Sequence, residues 1–189
     1  MKKFELTSET KINIFGKKLF RIKALVSFGV VKTGETGGWV EKEENVNQSG
    51  DAWVFDNAEV FDNARVFGNA EVSGNARVFG DAWVFDNAWV SGNARVFGNA
   101  EVSDNAWVSG NAEVSDNADY ATIHGFGTQF RTTTFFRCKD KQVKVSCGCF
   151  YGTIPEFREQ VKNTRKGKIA KEYLMIADLM EKHFAEEAK

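Results

Sequence analysis

From Ala52 to Ala118 every sixth residue is alanine, twelve times in succession. Two residues after each alanine stands a valine, from Val54 to Val114, until Tyr120 takes the last place. Each unit reads Ala-x-Val-(Phe/Ser)-(Gly/Asp)-Asn. Side chains alternate along a strand, so Ala52 and Val54 point one way while Trp53 and Phe55 point the other. Gly, Asp and Asn then accept the bend that β-branched residues resist. A period of six is too short for any helical repeat and matches a hexapeptide parallel β-helix. Three units return the chain above its start, one rung of about 4.8 Å higher. The repeat therefore predicts four coils of eighteen residues, a prism about 19 Å tall at that spacing. Its narrow interior takes only Ala and Val. The Asn column, broken within the repeats only at Asp81, is expected to hydrogen-bond up the stack. Each coil buries its core only against its neighbours, so both ends need caps.

The flanking segments read as those caps. Lys11 to Leu25 alternates apolar and polar residues around Gly16-Lys17-Lys18 and predicts a hairpin. Leu25 to Gln48 is rich in Gly and reads as an irregular first coil, with Trp39-Val40 echoing the Trp-Val of later units. After Tyr120 the period fails. Thr132–Lys139 and Gln142–Cys149 then predict a second hairpin across Asp140-Lys141. Thr153-Ile154-Pro155-Glu156 marks a helix start, with Thr153 as N-cap, Pro155 in the first turn and Glu156 completing a capping box. Ile154, Phe157 and Val161 share one face of that helix. A second helix from about Lys168 carries Tyr173, Ile176, Ala177, Met180 and Phe184 on one face. Both faces are expected to pack on the hairpin and on the open end of the prism, covering an edge that would otherwise recruit strands. The organisation is a mainly β chain: an N-terminal hairpin cap (1–24), a β-helix (25–125, with an irregular first coil 25–49 and regular repeats 50–121), and a C-terminal hairpin with two helices (126–189).

With the inward positions uniform, specificity lies in the outward ones. Wrapping the repeat at eighteen residues sorts them into three faces. The first carries Trp53, Glu71, Trp89 and Trp107 beside Phe55, Ser73, Ser91 and Ser109. The second carries Phe61, Phe79, Phe97 and Ser115 beside Glu59, Arg77, Arg95 and Glu113. The third carries Arg65, Trp83, Glu101 and Asp119 beside Phe67, Phe85, Ser103 and Ala121. On the second face Glu59 and Arg77, and Arg95 and Glu113, are expected to pair between rungs. On the third, Arg65 should meet Trp83 at cation–π range. Four tryptophans and six phenylalanines point outward. Two readings fit them: a contiguous apolar surface that marks an interface, or stacked rings that stiffen the rungs or lie under the terminal segments.

Charge adds a second contrast inside a net of only −1. Residues 1–49 hold nine basic and six acidic side chains; residues 50–120 hold three basic and twelve acidic, a net of −9; residues 121–189 hold thirteen basic and eight acidic. An acidic prism thus sits between basic ends. Turn-forming Asp56, Asp62, Asp86, Asp104 and Asp116 supply much of the acid for conformational reasons. The basic run Lys162, Arg165, Lys166, Lys168 and Lys171 contains no aromatic residue for base stacking and reads as a solvated connection. Three cysteines, Cys138, Cys147 and Cys149, cannot all pair, and the first residues hold no apolar run for a signal peptide or membrane span. The expectation is a cytoplasmic protein with free thiols. A zinc site wants four ligands, and beyond the cysteines only His124 and His183 are available, so no metal is expected.

Val54/Ala58, Val60/Ala64 and their successors over residues 50–121 resemble the left-handed β-helix of hexapeptide-repeat acyltransferases. That resemblance implies a left-handed solenoid. Those enzymes interrupt their coils with loops that carry a catalytic histidine and help form an acyl-CoA groove between subunits. This repeat runs without interruption and without histidine before His124, which stands where the next alanine would fall. A second likeness covers nearly the whole chain. Gly37-Gly38-Trp39-Val40-Glu41-Lys42-Glu43-Glu44-Asn45, the repeats, Asp119-Tyr120-Ala121-Thr122-Ile123-His124-Gly125 and Thr132-Thr133-Thr134-Phe135-Phe136-Arg137 resemble a hexapeptide-repeat family common in bacteriophages and prophages. Its members bear transferase or polymer-forming labels by fold analogy. The phage setting implies interaction functions, including interference with host defence.

The sequence therefore points to a non-enzymatic interaction protein with no catalytic residue and no cofactor. Its candidate binding residues are Trp53, Trp83, Trp89, Trp107, Phe61, Phe79, Phe97, Arg77 and Arg95. A host or phage protein is the expected partner, with a homodimer or homotrimer of the chain itself. Nucleic acid enters only through mimicry by the acidic prism or through 162–171. A hexapeptide acyltransferase using acyl-CoA and a self-assembling structural protein are the alternatives.

Overall fold

The computed structural model describes residues 2–185. Every Ala and Val of the repeat from Ala52 to Val114 is buried, and together they form one continuous core. Eleven two-residue strands, β4–β14, run from Trp53–Val54 to Glu113–Val114 at six-residue spacing. They stack in parallel at an eighteen-residue interval: Trp53 is in register with Glu71, Glu71 with Trp89, and Trp89 with Trp107. Ala118 breaks the rule, being exposed in the short 3-10 turn Asn117–Asp119 that ends the solenoid.

The corner positions explain the Gly/Asp alternation. Asp56, Asp62, Asp86 and Asp104 have φ between 54° and 59°, the left-handed region, and the glycines at the other corners lie there too, with φ between 65° and 71°. Aspartate tolerates that conformation better than most residues because its short side chain can bond locally. Here it bonds between coils. The Asp56 carboxylate accepts the Gly74 N–H at 3.1 Å, and Asp86 accepts the Asp104 N–H at 3.4 Å. The next position carries the expected amide ladder: Asn69 donates to Asn87 at 3.0 Å, Asn75 to Asn93 at 3.4 Å and Asn63 to Asp81 at 3.0 Å.

Outside the two-residue strand pairs themselves, the backbone bonds between coils point the same way. The N–H of one coil donates to a carbonyl of the next, as in Trp53 to Ala70 at 3.0 Å and Arg95 to Ala112 at 2.8 Å. The first coil is therefore left mainly with orphan carbonyls and the last mainly with orphan N–H groups, and buried backbone groups must be satisfied. The N-terminal cap answers with donors. Trp39, Glu41 and Asn47 give backbone N–H groups to Ala58, Val60 and Val66 at 2.9–3.1 Å. Asn45 gives its amide to Asp62 and Ala64 at 3.2 and 2.9 Å. Lys3 gives its ammonium to Gly50 and Ala52 at 3.2 and 2.8 Å. Burial lowers the Lys3 amine to about 8, against the opposing pull of Asp51. The C-terminal end answers with acceptors: Thr134 Oγ1 takes the Trp107 N–H at 3.0 Å, Asn117 Oδ1 takes that of Glu101 at 2.7 Å, and Asp119 takes that of Ser115 at 2.9 Å.

The N-terminal hairpin pairs β1 (Phe4–Ile12) with β2 (Lys18–Ala24). Its first strand starts at Phe4, well before Lys11, because Phe4 anchors a largely polar strand by packing edge-on against Trp53 at 5.8 Å. Through β3 (Thr36–Val40), which lies antiparallel to β2 and parallel to β5 (Glu59–Val60), the hairpin extends the second face into a seven-stranded sheet.

At the other end the expected hairpin is the centre of a four-stranded antiparallel sheet: β15 (Tyr120–Phe126), β16 (Arg131–Arg137), β17 (Val143–Cys147) and β18 (Phe150–Thr153). Successive residues of β16 face opposite ways. Phe136 closes the solenoid core, with Cys138 just beyond the strand beside it. Phe135 packs instead with Val145 against the helices α1 (Ile154–Thr164) and α2 (Gly167–His183). The helices thus rest on the sheet and not on the open end of the prism, because the sheet lies between. Thr153 caps α1 as its sequence indicates, accepting the Glu156 N–H. No described helix is long and apolar enough to cross a membrane.

Candidate interaction surface

The aromatic columns divide by what covers them. On the first face Trp53 is fully buried, edge-on to Phe4 at 5.8 Å and Phe28 at 5.3 Å. It belongs to the core and offers no binding surface, contrary to its outward register. Trp89 and Trp107 remain. Their rings stack at 4.9 Å and 7°, an arrangement that adds to area burial. Each indole N–H is satisfied within the fold: Trp89 donates to Ser73 at 3.0 Å and Trp107 to Ser91 at 3.4 Å. Trp89 stays 40% exposed. Trp107 is half-buried beside a 310 Å³ hollow shared with Cys149, Phe150 and the exposed Tyr151.

The lower rungs of the second face are covered by the N-terminal hairpin. Phe61 is buried with Leu19 and Trp39, so it too is a core residue and no binding site. Phe61, Phe79 and Phe97 stack at 5.0 and 5.1 Å, and Phe15 closes over Phe61 and Phe79. The charge pairs form as their register indicates. Buried Glu59 receives Arg77 at 3.2 Å and also Lys11 at 2.8 Å, while Arg95 meets Glu113 at 3.3 Å. Arg77 and Arg95 are therefore engaged in holding rungs together. Trp39 lies at cation–π distance from both Lys11 and Arg21, at 4.6 and 4.7 Å.

On the third face no described terminal segment covers the central tryptophan. Trp83 is 41% exposed, with Phe67 edge-on at 5.9 Å and Phe67 stacked on Phe85 at 4.9 Å. The expected cation–π contact between Arg65 and Trp83 does not form among the described residues; Phe67 meets the indole instead. Arg65 and Glu101 are both exposed, and neither side chain has an ion-pair partner among the described residues.

The remaining chemistry-bearing groups are scattered. His124 is exposed, with Nδ1 3.3 Å from Thr132 Oγ1. No cluster of His, Cys, Asp or Glu with metal-holding geometry occurs among the described residues. Cys138 is buried at the junction of solenoid and sheet, and that burial pushes its thiol up to about 11; Cys149 is exposed. Lys162, Arg165, Lys166, Lys168 and Lys171 are all exposed around the connection between α1 and α2. Sequence reasoning passed over Ser73 and Ser91 as indole acceptors and Tyr151 as a rim residue. The serines had a visible signal, since they occupy the column directly beside the tryptophans.

A family model described as the YdcK beta solenoid repeat matches residues 70–86, close to one coil. No curated protein matches the chain. The repeat match, the parallel eighteen-residue register and the continuous Ala/Val core agree: this chain is a β-solenoid repeat protein.

Proposed function

We propose that the protein is a non-enzymatic display scaffold whose Trp89–Trp107 ladder docks a protein partner. The observation that carries this reading is the contrast within one column. Trp53 is buried by the N-terminal cap, whereas Trp89 is 40% exposed. With both indole N–H groups already bonded to serines, the exposed edges need nothing from water and gain by burial. Tryptophan presented in this way is favoured at binding hot spots. The likeness to phage and prophage hexapeptide proteins favours a host or phage protein as the partner, encountered in the host cytosol. The net −9 over residues 50–120 favours a partner with a basic face, such as a nuclease-type defence complex.

The test is affinity capture from a host lysate with wild type and a Trp89→Ala/Trp107→Ala variant, followed by titration of the captured protein. The variant should keep its cooperative unfolding and bind at least about thirtyfold more weakly, since hot-spot truncations cost about 2 kcal/mol or more. A partner that binds both proteins equally would sink the reading.

A further inference from the structure

We propose that the third face is a two-fold interface between antiparallel copies of this chain. Arg65, Trp83 and Glu101 occupy three successive rungs in direct register, Arg65 beside Trp83 and Trp83 beside Glu101. One rung is about 4.8 Å, so the opposite charges stand about equally far on either side of the indole. A two-fold axis lying in this face along the strand direction, through Trp83, reverses the prism axis. It lays Trp83 on Trp83 and Phe85 on Phe85, and sets Arg65 of each copy opposite Glu101 of the other. Such an isologous surface is self-complementary by construction. Parallel prisms related the other way would set Arg65 against Arg65 and Glu101 against Glu101, which electrostatics disfavours.

The other two faces lack this arrangement. On the first, Trp53 is sealed by the cap and the column carries a single charge, Glu71. On the second, Glu59, Arg77, Arg95 and Glu113 already pair within the chain. The third alone combines an exposed tryptophan at its centre with free charges of opposite sign above and below. Its three-rung height makes it small beside a standard interface, so the dimer is a concentration-dependent one. The proposal does not rest on the Trp89–Trp107 reading, which concerns a different face.

The experiment is sedimentation velocity over a concentration series with the full chain. Wild type is expected to shift from monomer to dimer, with weaker association as salt screens the pairs. Arg65→Glu and Glu101→Arg, each made alone, place like charges across the axis and should weaken the dimer about tenfold or more. The double variant Arg65→Glu/Glu101→Arg restores both pairs and should return to within about threefold of wild type. Both side chains are exposed, so circular dichroism should be unchanged throughout. A wild type that stays monomeric or forms a trimer, single variants that dimerise like wild type, or a double variant that fails to recover would each overturn the proposal.

Discussion

At the scale of single residues, the corners decide the geometry of the solenoid. Gly92 has φ +70°, and a Cβ there would lie 2.9 Å from the Gly110 backbone nitrogen one coil on. Gly92→Ala is expected to lower stability by about 1–2 kcal/mol, the cost of a left-handed L-residue. Gly92→Asp should cost less, because its carboxylate can accept the Gly110 N–H as Asp56 accepts that of Gly74. Thermal denaturation of the two variants side by side checks the order; equal losses would show that the bond between coils contributes nothing. The corner residues were plain in the sequence, as was the Asn ladder. What the Asp carboxylates bond to was not, because the acceptor role depends on the coil above. The missing Arg65–Trp83 contact has the same origin: register set the neighbours, but Phe67 claimed the ring edge.

At the scale of elements, the caps work through hydrogen-bond polarity. The need for caps follows from a repeat whose coils bury their cores only against one another. Which end needs more donors follows only from the direction of the bonds that flank the strand pairs. Asn45 is fully buried and serves two first-coil carbonyls, at 3.2 and 2.9 Å. Asn45→Ala leaves the Asp62 and Ala64 carbonyls without that donor and should cost about 1–3 kcal/mol. A lower denaturant midpoint at unchanged slope is the expected result; an unchanged midpoint would mean other groups satisfy those carbonyls. The helices show the same division. The capping box at Thr153 and the apolar faces were legible from spacing, because they are local. The strands β15 and β18 were not, because Tyr120–Phe126 and Phe150–Thr153 become strands by pairing with β16 and β17.

At the scale of the whole molecule, Cys138 reports the joint between solenoid and C-terminal sheet. Its thiol is buried and pushed up to about 11, chiefly by desolvation, whereas Cys149 is exposed. Iodoacetamide at pH 8 should label Cys149 in the folded protein and reach Cys138 only on unfolding. Early labelling of Cys138 would mean that the joint opens below global unfolding. The linkage has a definite sign. The folded state keeps the Cys138 proton above the ordinary thiol value of 9.0, where the unfolded chain has lost it. The associated stability is therefore full below that value and is lost as pH rises through about 11. Comparing wild type with Cys138→Ala across that window isolates this contribution from that of Lys3, whose lowered amine acts in the opposite direction.

The sequence by itself determined the solenoid: the period, the Ala/Val interior, the corner residues, the four coils and the order of outward columns all follow from one strand alternation and one bend, repeated. These are local rules, and the repeat states them eleven times over. Only the tertiary structure decided which columns meet solvent. Trp53 and Trp89 occupy equivalent positions in the repeat, yet one is sealed by Phe4 and Phe28 and the other stands open. A periodic sequence gives equivalent residues the same register, and what distinguishes them is the cap that folds back over the ends.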